Sequence, residues 1–355
     1  MSNFPPDISV IIPFYNPGEA FRRCLDSVLG QTKKNLEVII VNDGSTDVSV
    51  EIGREYKKAH PQICLLEGPN QGVSVAYNRG LDTATGKYIY FCDADDYIAP
   101  ELCEFLYSRM ESSQAQLATC ALLRGANLDE LLCTIPSGED EIWDSEKILR
   151  DWYLPMQRGT SYHRVEARGY LPGCMFRRDL IEREKIRLIP GLSMNEDEVF
   201  IMEYLIYVKK AILSNRPLYY YCYSDNSLCA SYFVHKRISQ EKRRNDFLLR
   251  SEKNRIVFEK SGLTEEYPGL HAELLVNEVY HRLQKIAISR DRSFREKFRA
   301  SAEIIQQLKS SPAWTVLRKN AGLLPFGKKL FFRSLQCGTI ATLTFCAVAR
   351  LRRKE

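Results

Sequence analysis

Residues 8–13 of the chain read ISVIIP, a run rich in β-branched residues, and residues 36–41 repeat the pattern as LEVIIV. Runs of this kind are typical of strands that are buried on both faces of a parallel sheet. Shorter apolar runs at 63–66 and 87–92 predict two more strands, and the segments between all these runs carry apolar residues at helical spacing. Strands that alternate with helices predict right-handed βαβ units, and therefore an α/β fold with a mostly parallel sheet flanked by helices.

Helices are predicted to follow these strands. The stretch NPGE at 16–19 has an asparagine that can cap a helix, a proline suited to the first helical position and a glutamate three residues after the cap. Other helical patterns begin near 46–47 and cover 70–81 and 195–208, and a tyrosine-rich strand is predicted at 211–223. The mixed periodicity of the segment between the fourth strand and this region places no element.

Three of the predicted strands end in polar residues: PFYN at 13–16, NDGS at 42–45 and DADD at 93–96. In an open α/β sheet, ligands bind in the crevice at the carboxyl ends of the strands. If the three strands are neighbours in one sheet, these stretches lie together. We therefore expect them to form a single binding site.

The acidic stretch at the end of the fourth strand carries three carboxylates in four residues, Asp93, Asp95 and Asp96. These side chains repel one another unless a positive charge is present. Hard oxygen ligands suit Mg²⁺ or Mn²⁺, and such ions characteristically bridge one or two carboxylates to a diphosphate. The alternative is that the aspartates cap the helix that follows near Pro100-Glu101, although one aspartate would suffice for that. The stretch therefore predicts a divalent-cation site.

The composition is that of a globular protein, because the 355 residues are 45% hydrophobic and 27% charged. The eleven cysteines form no C-x-x-C pair and have no zinc-like spacing to the five histidines, which predicts reduced packing residues in a reducing compartment. The stretch MSNFPPDIS lacks the basic-then-apolar pattern of a signal peptide, so we expect a cytoplasmic protein. No G-x-G-x-x-G follows a predicted strand, which disfavours a Rossmann dehydrogenase.

Four motifs follow one another in a distinctive order. They are ISVIIPFYN, VIIVNDGSTD, an N-x-G (Asn70, Gly72) with a downstream asparagine (Asn78), and GKYIYFCDADD. In this order they resemble the nucleotide-sugar-binding half of family 2 glycosyltransferases, which have the GT-A fold. The resemblance covers residues 8–100 and continues more weakly to Ser231. It implies a Rossmann-like GT-A domain that uses a nucleotide-diphosphate sugar.

The matched positions imply where the donor would bind. The residues assigned to the donor site are Pro13, Phe14, Tyr15, Asp43, Asn70, Asp93 and Asp95. By resemblance, Asp43 binds the pyrimidine ring, commonly uracil, while Pro13 and Tyr15 line the nucleoside pocket. Asp93 lies near the ribose and Asp95 binds Mn²⁺ or Mg²⁺. The candidate metal ligands are Asp95, Asp93 and Asp96. Plain packing is the alternative for the first strand end, and an ordinary turn for Asp43.

A second acidic stretch, Met194-Asn195-Glu196-Asp197, matches the Glu-Asp pair that opens a helix near the acceptor in this family. Displacing a nucleoside diphosphate with a sugar hydroxyl requires a carboxylate that removes the hydroxyl proton. We assign this role to Asp197, with Glu196 second. A base on the face opposite the leaving group would invert the anomeric configuration. The alternative is that both carboxylates only favour the positive end of the helix dipole.

The chain departs from the family pattern at two places. Tyr77 stands where many relatives have a basic residue, so the diphosphate would be contacted differently. Many relatives also carry a lysine where this chain reads GCMFRR, and there Arg177 or Arg178 is either a substitute or a solvated surface charge. His235 follows the tyrosine-rich strand and is more plainly explained as a surface or core residue than as a phosphate ligand.

The C-terminal residues are basic. From Trp314 onward there are nine Lys or Arg residues and one acidic residue. Basic residues within 326–333 and 350–354 flank sixteen uncharged residues at 334–349, fewer than the roughly 20 that span a bilayer. This pattern suits a segment lying on an anionic membrane surface, at the inner face of the cell membrane. The alternative is a helix packed on the catalytic domain.

These observations predict a GT-A domain over 1–235, with a nucleotide-sugar half over 8–100 and an acceptor half over 101–235, and a helical region over 236–355. The predicted activity is metal-assisted, inverting transfer of a hexosyl or N-acetylhexosaminyl group (EC 2.4) from a UDP-sugar to a glycan or lipid-linked acceptor, in surface polysaccharide biosynthesis. The alternatives are a non-catalytic partner that binds nucleotide sugar or docks to a membrane complex, and a sugar nucleotidyltransferase. A homodimer is left open, and no nucleic acid is expected.

Overall fold

The computed structural model describes residues 5–125, 132–133, 139–158, 170–192, 194–222, 239–289 and 292–351. The chain divides into two compact units, residues 1–237 and residues 238–355. The first unit is built on one large sheet, and the described part of the second unit is helical.

The strands of the sheet are β1 (Ile8–Phe14), β2 (Leu36–Asp43), β3 (Ile63–Gly68), β4 (Tyr88–Phe91), β5 (Tyr97–Ile98), β6 (Leu117–Gly125), β7 (Leu132–Cys133), β8 (Glu141–Asp144), β9 (Cys174–Arg177) and β10 (Lys210–Cys222). Their order across the sheet is β3-β2-β1-β4-β9-β6-β10-β5, with β7 paired to β6 and β8 paired to β10. The four strands predicted from the first apolar runs all form and lie side by side, so the three with polar ends are neighbours as expected.

The first half of the sheet is parallel, and the second half is mixed. Ile8 in β1 lies opposite Leu36 in β2 on one side and opposite Tyr88 in β4 on the other. β9 runs antiparallel between β4 and β6, and β10 is parallel to β6. The predicted α/β architecture is confirmed. The parallel order β2-β1-β4 brings the carboxyl ends of three strands to one edge of the sheet.

Helices cover both faces of this sheet. The helices of the first unit are α1 (Ala20–Leu29), α2 (Ser49–Ala59), α3 (Val73–Thr83), α4 (Leu102–Ser113), α5 (Ser145–Ile148), α6 (Leu154–Gln157), α7 (Arg178–Arg183) and α8 (Glu196–Leu205). A π-helical turn, Leu149–Tyr153, joins α5 to α6. On one face, the apolar side chains of β1 and β2 pack against α1 in a buried core. The sequence pattern of Phe21, Leu25 and Val28 predicts this contact face of α1.

On the other face, α3 and α8 cover the middle of the sheet. Gly80 of α3 lies so close to Ile11 of β1 that a Cβ there would clash with it, so the glycine permits the approach. Phe91 of β4 makes edge-to-face contacts with Tyr77 of α3 and Phe200 of α8, at 5.1 and 5.7 Å between ring centroids. β4 therefore holds α3 and α8 on the same face, near the residues that follow the strand.

The predicted start of the first helix is wrong. α1 begins at Ala20, its N-cap is Glu19, and no side chain caps it. Asn16 instead adopts a left-handed conformation (φ 53°), and its side-chain oxygen accepts a hydrogen bond from the amide of Thr46. Asn16 does not cap α1 because its side-chain oxygen binds the Thr46 amide, in the loop after β2, instead of an amide of the helix. The local sequence pattern does not reveal this donor.

The second unit is a helical bundle with its own core. Its helices are α9 (Gln240–Lys260), α10 (Pro268–Ile288), α11 (Phe294–Ser310), α12 (Pro312–Asn320), α13 (Phe326–Cys337) and α14 (Thr339–Leu351), with a 3₁₀ turn at Ala321–Leu323. A buried apolar cluster joins α10 to α13, with Leu283, Phe331 and Leu335 among its members. Gly338 (φ 113°) separates α13 from α14. None of the helices in the described part of the chain has the length and apolar character that crossing a bilayer requires.

Candidate active site

The loops after β1 and β2 brace each other at the carboxyl edge of the sheet. The amide of Asn16 donates to the Ser45 hydroxyl at 3.0 Å, and the Asn16 side chain accepts from Thr46 at 2.7 Å. The amide of Gly18 donates to the Asp47 carboxylate at 2.8 Å. The first and second motifs therefore form one structure, although 29 residues separate the partners in sequence.

Asp43 ties a third loop to this edge. It is 5% exposed, and its two carboxylate oxygens accept from the amides of Gln71 and Gly72, at 2.8 and 2.9 Å. Gly44 has a φ of +78° and lies so near Asn70 that a Cβ would come within 2.6 Å of its backbone nitrogen. The predicted helical stretch thus begins only at Val73, since residues 70–72 form the loop that Asp43 holds.

The three residues predicted at the end of β1 differ in what they present to a ligand. Pro13 is buried in the sheet. Phe14 is 3% exposed, with its ring 4.4 Å from that of Phe21 in the core. Tyr15 is 57% exposed, and Asn70 is exposed as well. Of these four residues, only Tyr15 and Asn70 offer a side chain to a bound molecule.

Asp93 lies directly after β4 and is partly exposed. Its carboxylate accepts a hydrogen bond from the Tyr77 hydroxyl at 2.6 Å, and its amide donates to the Tyr219 hydroxyl at 3.2 Å. Burial and the charge of Asp95 raise the pKa of Asp93 to about 6, while the Tyr77 hydrogen bond lowers it. Tyr77 therefore orients the carboxylate of Asp93.

Asp95 and Asp96 are neighbours in sequence with different surroundings. Asp95 is partly exposed, and its backbone oxygen accepts from the Arg23 guanidinium at 2.9 Å. Asp96 is fully buried, and its oxygens accept from the Tyr219 hydroxyl at 2.6 Å and the Cys222 amide at 2.7 Å. Burial raises the pKa of both carboxyls, and that of Asp96 most strongly.

The second acidic stretch lies in the first turn of α8. Asn195 precedes the helix in a left-handed conformation (φ 62°), and its side-chain amide donates to Glu198 at 3.0 Å. Asp197 accepts from the Glu198 amide at 2.8 Å. Burial, and then the charge of Glu196, raise the pKa of Asp197 well above its usual value, and Asp93 raises it further.

The two acidic stretches lie close enough to interact. The charge of Asp93 raises the pKa of Asp197, and the charge of Glu196 raises the pKa of Tyr77. Asn78 of α3 makes two hydrogen bonds to the backbone of Leu188, at 2.8 and 2.9 Å, and thus fixes the segment that leads to α8. The downstream asparagine of the third motif is therefore a structural clamp.

The carboxylates at the strand end fit a cation that is shared with a ligand. Among the described residues, no group of three or more histidine, cysteine, aspartate or glutamate side chains is arranged to hold a metal ion. Asp93 and Asp95 offer partly exposed carboxylates, whereas both oxygens of Asp96 already have protein donors. One or two carboxylates suffice for Mg²⁺ or Mn²⁺ when a diphosphate supplies further oxygens.

The basic residues considered as substitutes lie elsewhere. Arg177 pairs in register with Tyr88, at the amino end of β4, and it forms an ion pair with Asp179. The Arg178 guanidinium donates to the backbone oxygen of Gly86 at 2.6 Å. About five strand residues, or roughly 16 Å, separate this end of the strand from the acidic stretch. His235 lies outside the described residues.

Sequence reasoning missed two residues of the site. Arg23 of α1 lies 4.9 Å over the ring of Tyr97 and contacts the backbone of Asp95. The Tyr219 hydroxyl joins Asp93 to Asp96. No local motif marks Arg23, because it is a polar position of an amphipathic helix. The tyrosine-rich composition of 211–223 was the only signal for Tyr219.

Residues 9–181 match the family model described as glycosyl transferase family 2. The chain is 36% identical over 238 residues to the uncharacterized glycosyltransferase YibD of Escherichia coli, covering 64% of each chain. It is 26% identical over 327 residues to the putative glycosyltransferase EpsH of Bacillus subtilis, covering 91% of this chain and 89% of the relative. It is 30% identical to the poly(ribitol-phosphate) beta-glucosyltransferase of Bacillus spizizenii, covering 60% of this chain but 32% of that enzyme. The first and third alignments thus span less than two thirds of the relatives' lengths.

Solved structures share the fold at low sequence identity. Residues 1–349 of TarS from Staphylococcus aureus, in complex with UDP-GlcNAc, match with a TM-score of 0.62 and 18% identity, over 97% of this chain and 92% of that one. The mannosyltransferase PcManGT of Pyrobaculum calidifontis, in complex with GDP-Man and Mn²⁺, matches with a TM-score of 0.50 and 18% identity, over 99% and 89%. These similarities confirm the predicted GT-A-type fold.

Proposed function

Over residues 9–181 the chain belongs to glycosyl transferase family 2, which confirms the family resemblance, and we propose on this premise that it transfers a sugar from a nucleotide-diphosphate sugar to an acceptor hydroxyl. The observation that carries the proposal is the packing of Phe91 in β4 against Phe200 in α8, at 5.7 Å between ring centroids. It brings the acidic stretch after β4, a donor-side group, near the start of α8, where the candidate base Asp197 lies. A protein that only binds a nucleotide sugar has no need of the second carboxylate.

We assign the nucleoside to the crevice at the ends of β1 and β2. Tyr15 offers an exposed ring there, and the oxygens of Asp43 keep lone pairs beyond the two amides that they already accept. A UDP-sugar that carries a hexosyl or N-acetylhexosaminyl group is the donor we favour. The UDP-GlcNAc bound to TarS supports this choice, while the GDP-Man bound to PcManGT makes GDP-sugars the comparison to test.

Mn²⁺ or Mg²⁺ would be held by Asp95, with Asp93 as second ligand. These carboxylates are partly exposed, and their mutual repulsion favours a cation. Such an ion supplies charge compensation for the leaving diphosphate. Asp96 is left out of the proposed metal site because it is fully buried, with its oxygens held by Tyr219 and the Cys222 amide. The Mn²⁺ in the PcManGT structure supports a divalent ion.

Asp197 is the general base in this proposal. Its carboxylate takes the proton of the acceptor hydroxyl as that oxygen bonds to the anomeric carbon and the bond from this carbon to the diphosphate breaks. A base is most efficient when its pKa lies near the operating pH, and the pKa of Asp197 is raised from its usual low value. Attack opposite the leaving group would invert the anomeric configuration.

The acceptor in this proposal is a glycan or a lipid-linked glycan of a surface polysaccharide. The relatives support the class, because they include the poly(ribitol-phosphate) beta-glucosyltransferase and a hyaluronan synthase of Pasteurella multocida that is 42% identical over 109 residues. We also propose that the chain contacts the inner face of the cell membrane through its basic C-terminal residues, where a lipid-linked acceptor would lie.

A thermal-shift panel tests the donor site. UDP, GDP, dTDP and CMP are each added with and without Mn²⁺ to the wild type and to Asp95→Ala. We expect UDP with Mn²⁺ to raise the Tm of the wild type by a few degrees, because a ligand at a hundred times its Kd stabilises by about 2.7 kcal/mol. The metal-dependent part should vanish in Asp95→Ala. Asp82→Asn, an exposed carboxylate of α3 that pairs with Arg187, is the matched control.

If no nucleotide shifts the Tm with metal, the donor site is wrong. UTP is then tested with sugar 1-phosphates, because pyrophosphate release from UTP would identify a nucleotidyltransferase. Donor hydrolysis or transfer with a UDP-sugar supports the proposal directly.

A further inference from the structure

The junction of α12 and α13 exposes large apolar side chains beside basic residues. Leu323, Phe326 and Leu330 are 60%, 77% and 39% exposed. Four basic residues lie in the same stretch: Arg318, Lys319, Lys329 and Arg333. We call these seven residues the basic-apolar corner.

The exposed residues share one face of α13. Phe326, Leu330, Arg333 and Cys337 recur at intervals of four, three and four residues, which places them on one side of a helix. The opposite side is buried by Phe331, Phe332 and Leu335, which belong to the core of the unit. The helix has therefore already buried an apolar face, and the Phe326 side is a second apolar surface.

The cations of the corner have no acidic partners among the described residues. Among the described residues, no carboxylate lies within ion-pair distance of Lys329 or Arg333, whereas their neighbour Lys328 pairs with Glu273. No acidic residue occurs in the sequence from Pro312 to Lys354. The positive charge of the corner is therefore uncompensated within its own segment.

A second exposed apolar pair in the same unit differs from the corner in the charge around it. Phe294 and Phe298 of α11 are 70% and 38% exposed. Their helix also carries Glu296 and Glu303, and Glu303 pairs with Arg299. This pair matches the corner in size and exposure but lies in a region of mixed charge, so it is a control for hydrophobic exposure alone.

We propose that the basic-apolar corner docks on the surface of a bilayer that contains anionic phospholipids. Phe326 and Leu330 enter the boundary between headgroups and acyl chains, while Lys329, Arg333 and the end of α12 contact lipid phosphates. The contact lies on the bilayer and does not span it. This inference rests on the proposed function in one respect, since it names the surface that would make the membrane contact proposed there.

Vesicle flotation tests the inference with the full chain. We expect binding to vesicles of phosphatidylcholine with 30% phosphatidylglycerol, and little binding to phosphatidylcholine alone. The double variant F326S/L330S should weaken binding by about tenfold or more, because it removes the apolar contact. K329Q/R333Q should weaken it by about thirtyfold on anionic vesicles, since each cation near the surface contributes about fivefold. F294S/F298S should bind as the wild type does.

Two measurements separate this inference from the donor-site proposal. The Tm and the UDP–Mn²⁺ thermal shift of F326S/L330S should equal those of the wild type, so lost flotation cannot be ascribed to unfolding or to a lost donor site. Equal losses in F326S/L330S and F294S/F298S would overturn the inference, because exposure alone would then explain binding. A wild-type dimer in light scattering that F326S/L330S makes monomeric, without vesicle binding, would assign the corner to a second copy of the chain.

Discussion

The first unit carries two acidic stretches of similar density, DADD at 93–96 and EDE at 196–198, and each divides its carboxylates in the same way. Asp96 is fully buried and held by Tyr219, while Glu198 is 8% exposed and accepts from the side chain of Asn195. In each stretch, one carboxylate is buried and hydrogen-bonded within the protein, and the others remain partly exposed.

The two stretches differ in what holds them. The first follows a strand, and its inward member is bound by residues of β10, more than 120 positions away. The second opens a helix, and its inward member is bound by a residue three positions before it. A run of carboxylates is therefore not one functional unit, and the partners of each member decide which ones are available for chemistry.

The largest effect is expected at the helix start. Asp197→Asn removes the proposed base and should lower kcat by about a thousandfold, within the usual range for a general base. The UDP–Mn²⁺ thermal shift should persist, because the donor side is untouched. Initial rates of sugar transfer measure the loss. Glu196→Gln is the paired variant, with an expected loss of about tenfold. A larger loss in Glu196→Gln would reverse the assignment within the stretch.

The second-largest effect is expected at Asp95, and it should be absent at its neighbour Asp96. Asp95→Asn should lower the transfer rate by about a hundredfold and raise the Mn²⁺ concentration needed for half-maximal rate, because the proposed metal ligand is lost. Asp96→Asn should leave that Mn²⁺ concentration unchanged, since Asp96 is fully buried and held by Tyr219 and the Cys222 amide. Metal titration of the transfer rate distinguishes the two. An equal shift in both variants would contradict the division of roles.

Much of this edge of the sheet is predictable from local sequence. The β-branched runs give the strands, the polar stretches after them give the strand ends, and parallel order follows from the intervening helices. The D-x-D and the Glu-Asp pair point to the acidic residues themselves. These features depend on residues close together in sequence, where periodicity and residue type carry the information.

The rest depends on long-range partners that no local pattern encodes. The inward turn of Asp96 is fixed by Tyr219, 123 residues away, and Arg23 meets Asp95 across 72 residues. Asn16 fails to cap α1 because Thr46 competes for it. The segment between β4 and α8 contributes short strands and helices whose pairing, such as β9 between β4 and β6, is decided by tertiary contacts.

A smaller effect concerns stability against pH in the absence of metal. The folded-state pKa of Asp93 is raised from 3.8 to about 6, so the folded protein holds this proton more tightly than the unfolded chain does. The stability that this proton gives is therefore complete below pH 4 and lost as the pH rises through about 6. Raised pKa values at Asp96 and Asp197 act in the same direction.

In EDTA, the Tm of the wild type should therefore include a component that falls by a few degrees between pH 4.5 and pH 7.5. Asp93→Asn should reduce this component, because its side chain does not ionise. Differential scanning calorimetry of both proteins across this range is the measurement. Parallel curves for the two proteins would mean that the pKa of Asp93 is not raised in the folded protein.

The smallest effect tests which cation serves the first stretch. Arg23 lies beside Asp95, and its charge lowers the pKa of that carboxyl, whereas Arg177 lies at the opposite end of β4. If Arg23 supports the diphosphate of the proposed donor, Arg23→Gln should raise the donor KM about threefold to fivefold with little change in kcat. Arg177→Gln should leave both constants unchanged. Equal donor KM and kcat values in the two variants would mean that Arg23 does not support the diphosphate. The proposed metal ion would then be the only positive charge that acts on the diphosphate at the first acidic stretch.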